Sequence, residues 1–136
     1  MTTISIEMEG YWREVNVGGV PNKSGVYCVY ECTHNKTEKT VTLNKLIYIG
    51  ESADVGNRLA NHEKKPDWKK HVRSGNELCY SFGQVPSITR ERAEAALIYK
   101  HKPPVNTEYV DNFPFPRTTI SLTGRTALLS TSFTVG

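Results

Sequence analysis

The run Gly25-Val26-Tyr27-Cys28-Val29-Tyr30 and the later run Leu46-Ile47-Tyr48-Ile49-Gly50 constrain the fold more than any other feature of this 136-residue chain. Both are dense in β-branched and aromatic side chains, which suit a pleated surface and crowd a helix. Gly25 opens the first run and Gly50 stops the second, so both read as strands of one sheet. Ile4, Ile6 and Met8 alternate with polar residues and predict a short half-buried strand before them. Leu78-Cys79-Tyr80-Ser81-Phe82 predicts another strand after them. Residues 31–45 are polar, hold His34-Asn35-Lys36, and read as a long hairpin connection.

Between and after these strands the punctuation is helical. Ser52 or Asp54 is placed to cap a helix running to Lys64, with Val55 and Leu59 on its inner face. Pro66 ends or interrupts it, and Trp68 to Val72 predict one further turn. Pro86 and Ser87 open a second helix through Ile88, Ala95, Ala96 and Tyr99, which Pro103-Pro104 forbid from continuing. Beyond Asn106, Pro114 and Pro116 lead into Ile120–Leu122, Gly124 and Ala127–Val135, an expected β-hairpin. The predicted class is α+β, a small mixed or antiparallel three-stranded sheet flanked by helices, with extra strands at both termini. One domain is expected over residues 1–136: a core of about 24–107, an N-terminal β extension 1–23 and a C-terminal hairpin extension 108–136.

Three cysteines, Cys28, Cys32 and Cys79, are an odd number without a paired framework, which points to reduced thiols. Cys28 and Cys32 with His34 have ligand-type side chains for zinc, but the strand-like run favours buried apolar roles. The first residues lack a basic segment and an apolar stretch, and no run reaches the roughly 18 apolar residues of a membrane span. The expectation is a soluble cytoplasmic protein without a membrane partner. The formal charge is +3. It is unevenly spread: residues 58–73 carry Arg58, Lys64, Lys65, Lys69, Lys70 and Arg73 against only Glu63 and Asp67. Such a segment suits phosphate binding, and it equally suits a solvated helix face.

Phosphodiester hydrolysis needs an activated water, charge stabilisation on the phosphoryl oxygens and help for the leaving oxygen. Magnesium contributes to all three with few protein ligands, because it keeps several waters. Glu94, in the small apolar stretch Ala93-Glu94-Ala95-Ala96-Leu97-Ile98, is a candidate ligand, since a carboxylate there is costly unless paired. Glu91, between Arg90 and Arg92, reads instead as a surface ion-pair residue. Arg58 and His62 are four apart and would project from one helix face, an anion-binding guanidinium beside a group that moves protons near neutrality. Tyr27 and Tyr48 lie on neighbouring strands, and Asn106 follows the double proline. Taken singly, each also has an ordinary structural reading: core tyrosines, a surface pair, a turn asparagine.

Together they form a pattern. Gly25-Val26-Tyr27 followed by Tyr48-Ile49-Gly50 resembles the paired tripeptides of the GIY-YIG nuclease superfamily. Gly56-Asn57-Arg58-Leu59-Ala60-Asn61-His62 resembles its arginine helix, in the branch with a histidine four residues later. Glu94-Ala95-Ala96-Leu97-Ile98 and then Pro103-Pro104-Val105-Asn106 resemble its metal-binding glutamate helix and terminal asparagine. The pieces span residues 24–107 in order. Val26 stands where the family's name has isoleucine. Twenty residues separate Tyr27 from Tyr48, about twice the connection in the family's shorter members, so 31–45 looks like an elongated loop.

The resemblance implies a divalent-metal-dependent endonuclease acting on DNA through one Mg²⁺ or Mn²⁺ at Glu94, restriction-type or phage- or defence-type. Tyr27, or else Tyr48, would act as general base; Arg58 would stabilise the phosphoryl charge, His62 would accept or relay the tyrosine proton, and Asn106 would brace the site. Lys45, Lys64, Lys65, Lys69, Lys70 and Arg73 are the expected nucleic-acid contacts. Without a recognisable appended DNA-binding domain, specificity would rest on 31–45, the basic segment, the extensions, or a homodimer formed through them. A catalytically silent binding module, or a nuclease for single-stranded DNA or RNA, are the alternatives.

Overall fold

The computed structural model describes residues 2–136. The alternation at the N-terminus gives β1 (Thr2–Arg13), with Ile4, Ile6 and Met8 buried and their neighbours outward. It runs well past the short strand expected, and a 3₁₀ turn, Glu14–Gly19, follows. β2 (Gly25–Asn35) and β3 (Thr40–Ser52) pair antiparallel along their length. The long loop expected over 31–45 is therefore strand, and only residues 36–39 turn. Cys32 is buried there, with Val41 and Leu43 packed on the same core, while threonines occupy exposed positions. That stretch has a polar composition because only one of its faces is well covered, and threonine is a good strand former. The Asn35 side chain shapes the turn by accepting the Thr37 and Glu38 N–H groups at 3.1 and 3.0 Å.

The first helix is shorter than expected. Asp54 caps α1 (Val55–Ala60) by accepting the Asn57 N–H at 3.1 Å, and the helix stops before Asn61. Pro66 does not end it but lies in the first turn of α2 (Lys65–Lys69), where its missing N–H leaves no bond unmade. Trp68 anchors this short helix at 0 % exposure. β4 (Glu77–Gln84) then leads into α3 (Ser87–His101), which ends on left-handed Lys102 ahead of Pro103. β5 (Thr118–Gly124) and β6 (Ser132–Val135) form the expected C-terminal hairpin.

All six strands join one mixed sheet in the order β3-β2-β4-β1-β5-β6, in which only the β1–β5 pair is parallel. The three strands expected to form the whole central sheet are one side of this larger sheet. Both extensions are built into it because Ile4, Ile6 and Met8 share a core with Ile120, Leu122 and Phe133.

β2 is buried on both faces and divides two cores. Val26, Cys28 and Tyr30 pack with Ala93, Ala96 and Leu97 of α3. Tyr27 and Val29 pack with Val55, Leu59 and Trp68 of α1 and α2. Cys28, Cys32 and Cys79 are free and buried. β3 is an edge strand, and the chain leaving α3 covers part of that edge: Val105 N–H donates to the Ile47 carbonyl at 3.2 Å. Side chains from both sheet faces meet at this edge.

Candidate active site

Strand register brings the two tyrosines together. Tyr27 lies opposite Gly50 and Val29 opposite Tyr48, which puts both phenols on the α1–α2 face with ring centroids 6.3 Å apart. A Cβ at Gly50 would lie 2.3 Å from Cζ and Oη of Tyr27, so the glycine makes room for the ring. Tyr27 is 1 % exposed, and burial drives its hydroxyl far above the usual phenol range. Tyr48 is half-buried and is pushed up to about 12, by burial first and then by Glu94.

His62 is not on the face of the first helix, because the chain has already turned at non-helical Asn61. The turn tucks the imidazole inside, with Nε2 2.9 Å from Tyr27 Oη. Its other nitrogen, Nδ1, accepts the Lys64 backbone N–H at 3.1 Å. Burial first, and Arg58 second, lower its pKa to about 4, so the ring is neutral near pH 7. A neutral imidazole with Nδ1 used as acceptor carries its proton on Nε2, and therefore donates to Tyr27 Oη. In the resting protein the imidazole is thus the donor toward Tyr27; its expected role as acceptor or relay concerns the reacting state. Trp68 holds the ring in place from α2, with centroids 4.4 Å apart. Its contribution was missed, since a lone tryptophan after a proline gives no sign of what it packs on.

A cleft of about 330 Å³ is lined by Tyr27, Tyr48, Arg58, Glu94 and Asn106, and His62 sits behind Tyr27. Arg58 forms a two-pronged pair with Glu63, at 2.5 and 2.8 Å. Asn106 clamps the β3 edge: its Oδ1 accepts the Ile49 N–H at 3.0 Å and its Nδ2 donates to the Ile49 carbonyl at 2.9 Å. Glu94 enters from α3. Burial, then Glu51, Glu108 and Glu91, push its carboxyl up to about 8. Glu91 is on the surface as expected, but at the rim of the cleft and without the expected cation partner; it accepts the Tyr109 hydroxyl at 2.9 Å. Its neighbours turn elsewhere, Arg90 to Glu51 and Arg92 to Thr118. Among the described residues no three His, Cys, Asp or Glu side chains are grouped to enclose a cation. No helix there is long and apolar enough to cross a membrane.

The basic segment is less available than its composition suggests. Lys64 lines the cleft. Lys65 pairs with Glu14 at 2.9 Å, Lys70 with Asp67 at 3.5 Å and Arg73 with Glu31 at 3.0 Å. Lys45 Nζ lies 2.9 Å from His71 Nδ1 on the surface, and Lys69 is exposed.

Residues 24–109 match the family model described as the GIY-YIG catalytic domain. A curated relative, UvrABC system protein C of Fervidobacterium nodosum, is 33 % identical over 108 residues, covering 75 % of this chain. The aligned region is 16 % of that relative's length. No solved structure gives a significant match.

Proposed function

Because the chain belongs to the GIY-YIG nuclease superfamily, we propose that it is an endonuclease hydrolysing DNA phosphodiester bonds with a divalent cation held at Glu94. The observation that carries this reading is the shared cleft: a phosphate-type guanidinium, two phenols and a carboxyl crowded by other carboxylates line one 330 Å³ space. Glu94 fits a cation, since proton uptake up to about pH 8 is the response of a buried acid among Glu51, Glu108 and Glu91. With so few grouped ligands an ion there would keep most of its waters, as Mg²⁺ or Mn²⁺ does. Bound at Glu94, the ion supplies Lewis-acid charge toward phosphoryl oxygen and water.

The residues have separable tasks. Tyr27 first loses its phenolic proton to solvent through the filled cleft it lines; the phenolate, held by the Nε2–H of His62, then takes the proton of the attacking water as general base. Burial holds both tyrosines neutral in the free protein, so charge at Tyr27 is favoured only when the site is filled. Arg58 leaves Glu63 for the phosphoryl oxygens and stays charged at every working pH. Tyr48, on the cleft wall, contacts the scissile phosphate. Asn106 fixes the backbone between Tyr48 and Gly50.

Plasmid cleavage tests the reading. Cutting should require Mg²⁺ or Mn²⁺, stop with chelator, and fall by about 10² or more in Arg58→Ala and Glu94→Ala. Because proton and cation compete for Glu94, the metal concentration for half-maximal rate should rise as pH falls below about 8. Binding without cleavage across metals and substrates would instead identify a silent module.

A further inference from the structure

At the far end of the β2–β3 hairpin a second hollow opens between the hairpin turn, the end of β1 and the start of the β5–β6 link. Tyr11, Arg13, Asn16, His34, Lys39 and Arg125 line it, and no carboxylate does. Lys39 and Arg125 are exposed and have no ion-pair partner among the described residues. This sets them apart from Arg58, Lys65, Lys70, Arg73 and Arg90, each of which has a carboxylate. Arg13 is held at the hollow by Glu77 through two 3.0 Å bonds, which fix its position and offset its charge. His34 adds an imidazole nitrogen, Nδ1, that is buried and has no hydrogen-bond partner. Two free cations and an ordered guanidinium around a concavity without acid suit a phosphate group.

The hollow lies apart from the cleft. Tyr27 and Gly50 pair near one end of the hairpin, and His34 and Val41 near the other, seven residues along. At strand rise this is roughly 23 Å along β2, with Tyr27 and His34 on opposite faces of the sheet, so a nucleic acid touching both would pass around the β3 edge where the cleft opens. Tyr11, Arg13, Asn16 and Arg125 also lie outside residues 24–109, which match the family domain. The strands added to that domain thus converge with the hairpin tip on a concavity without acid.

We propose that this hollow is a second phosphate-binding site, which holds the backbone of the nucleic acid cut in the cleft; the assignment rests on the nuclease reading for its ligand. The test uses the full chain with Lys39→Ala and Arg125→Ala combined, two exposed positions whose loss leaves no buried group unpaired. Binding of a labelled 30-base-pair duplex, without divalent metal, should weaken about tenfold or more between 50 and 200 mM NaCl. The slope of log K against log salt should fall by about two, one for each lost phosphate contact. Single-turnover cleavage at saturating protein should stay within twofold of the parent. Unchanged affinity and slope would overturn the site while leaving the nuclease reading intact.

A second arm follows the His34 imidazole resonances as duplex or inorganic phosphate is added. A shift at micromolar duplex, with phosphate needing tens of millimolar, supports backbone binding. Saturation by phosphate alone below a millimolar would replace the proposed ligand with a free phosphate compound. No His34 shift with either would overturn the site altogether. If His34 responds to duplex while the parent cuts none, the hollow stands and the nuclease reading falls.

Discussion

At Gly50 a hydrogen stands where any other residue would place a Cβ against the Tyr27 phenol. Gly50→Ala should displace that ring by about an ångström and cost about 10²-fold in cleavage rate. Near-UV circular dichroism and urea unfolding would show whether the protein remains folded; a folded variant with parental rate would break the link. Glu63 is the complementary case. It occupies the two prongs of Arg58 that a phosphate needs, so Glu63→Gln should free the guanidinium. Steady-state assays should give KM lower by roughly two- to five-fold with kcat little changed, the scale of an exposed ion pair. A raised KM would mean that Glu63 orients Arg58 for substrate. At this scale the sequence was informative about identity and weak about partners. Tyr27, Tyr48, Arg58, Glu94 and Asn106 do line one cleft. The direction of the His62 hydrogen bond depends on a backbone N–H two residues away, which side-chain spacing does not encode.

α2 illustrates what an element does to its charges. Five residues long, it places Lys65 beside Glu14, which also accepts the Tyr80 hydroxyl, joining the 3₁₀ turn, α2 and β4. Lys65→Ala should therefore lower stability by on the order of 1 kcal/mol in urea unfolding and leave the salt slope of DNA binding unchanged. A flattened slope with unchanged stability would restore it as a phosphate contact. Charge counting along 58–73 was blind to this, because Glu14 and Glu31 reach the segment only through tertiary structure. The hairpin was misjudged for a related reason. Thr33, Thr40 and Thr42 are polar enough to resemble loop, yet they pair across β2 and β3 and Cys32 is buried. α3 was legible throughout, since Pro86 and Pro103 bracket it and proline acts through local covalent geometry.

For the whole molecule, three groups set how stability should change with pH: Glu31, His62 and Glu94. Burial alone would raise Glu31, but hydrogen bonds from Asn76 and Arg73 more than offset it and hold the carboxyl at about 2. The unfolded chain takes up that proton near 4.5, so this stability is present above 4.5 and lost as pH falls through about 2. His62 stays neutral down to about 4, whereas the unfolded chain protonates near 6.5, so its share is lost between 6.5 and 4. Glu94 acts in the opposite sense: it takes up its proton near 8 when folded and near 4.5 when unfolded, so stability rises as pH falls through that window. The His62 loss is therefore read as the difference in urea midpoint between the parent and His62→Gln from pH 6.5 to 4, and the Glu31 loss as that between the parent and Glu31→Gln below 4.5; a pH-independent difference in either pair would contradict it. Sheet membership was the least legible property, because strand order is decided between segments far apart in sequence. β1 gains one neighbour from residues 77–84 and the other from residues 118–124. β1 therefore gains its second neighbour only when residues 118–124 join the sheet. Until then its apolar row of Ile4, Ile6 and Met8 waits uncovered, which makes this a high-contact-order molecule whose folding is slow for its size.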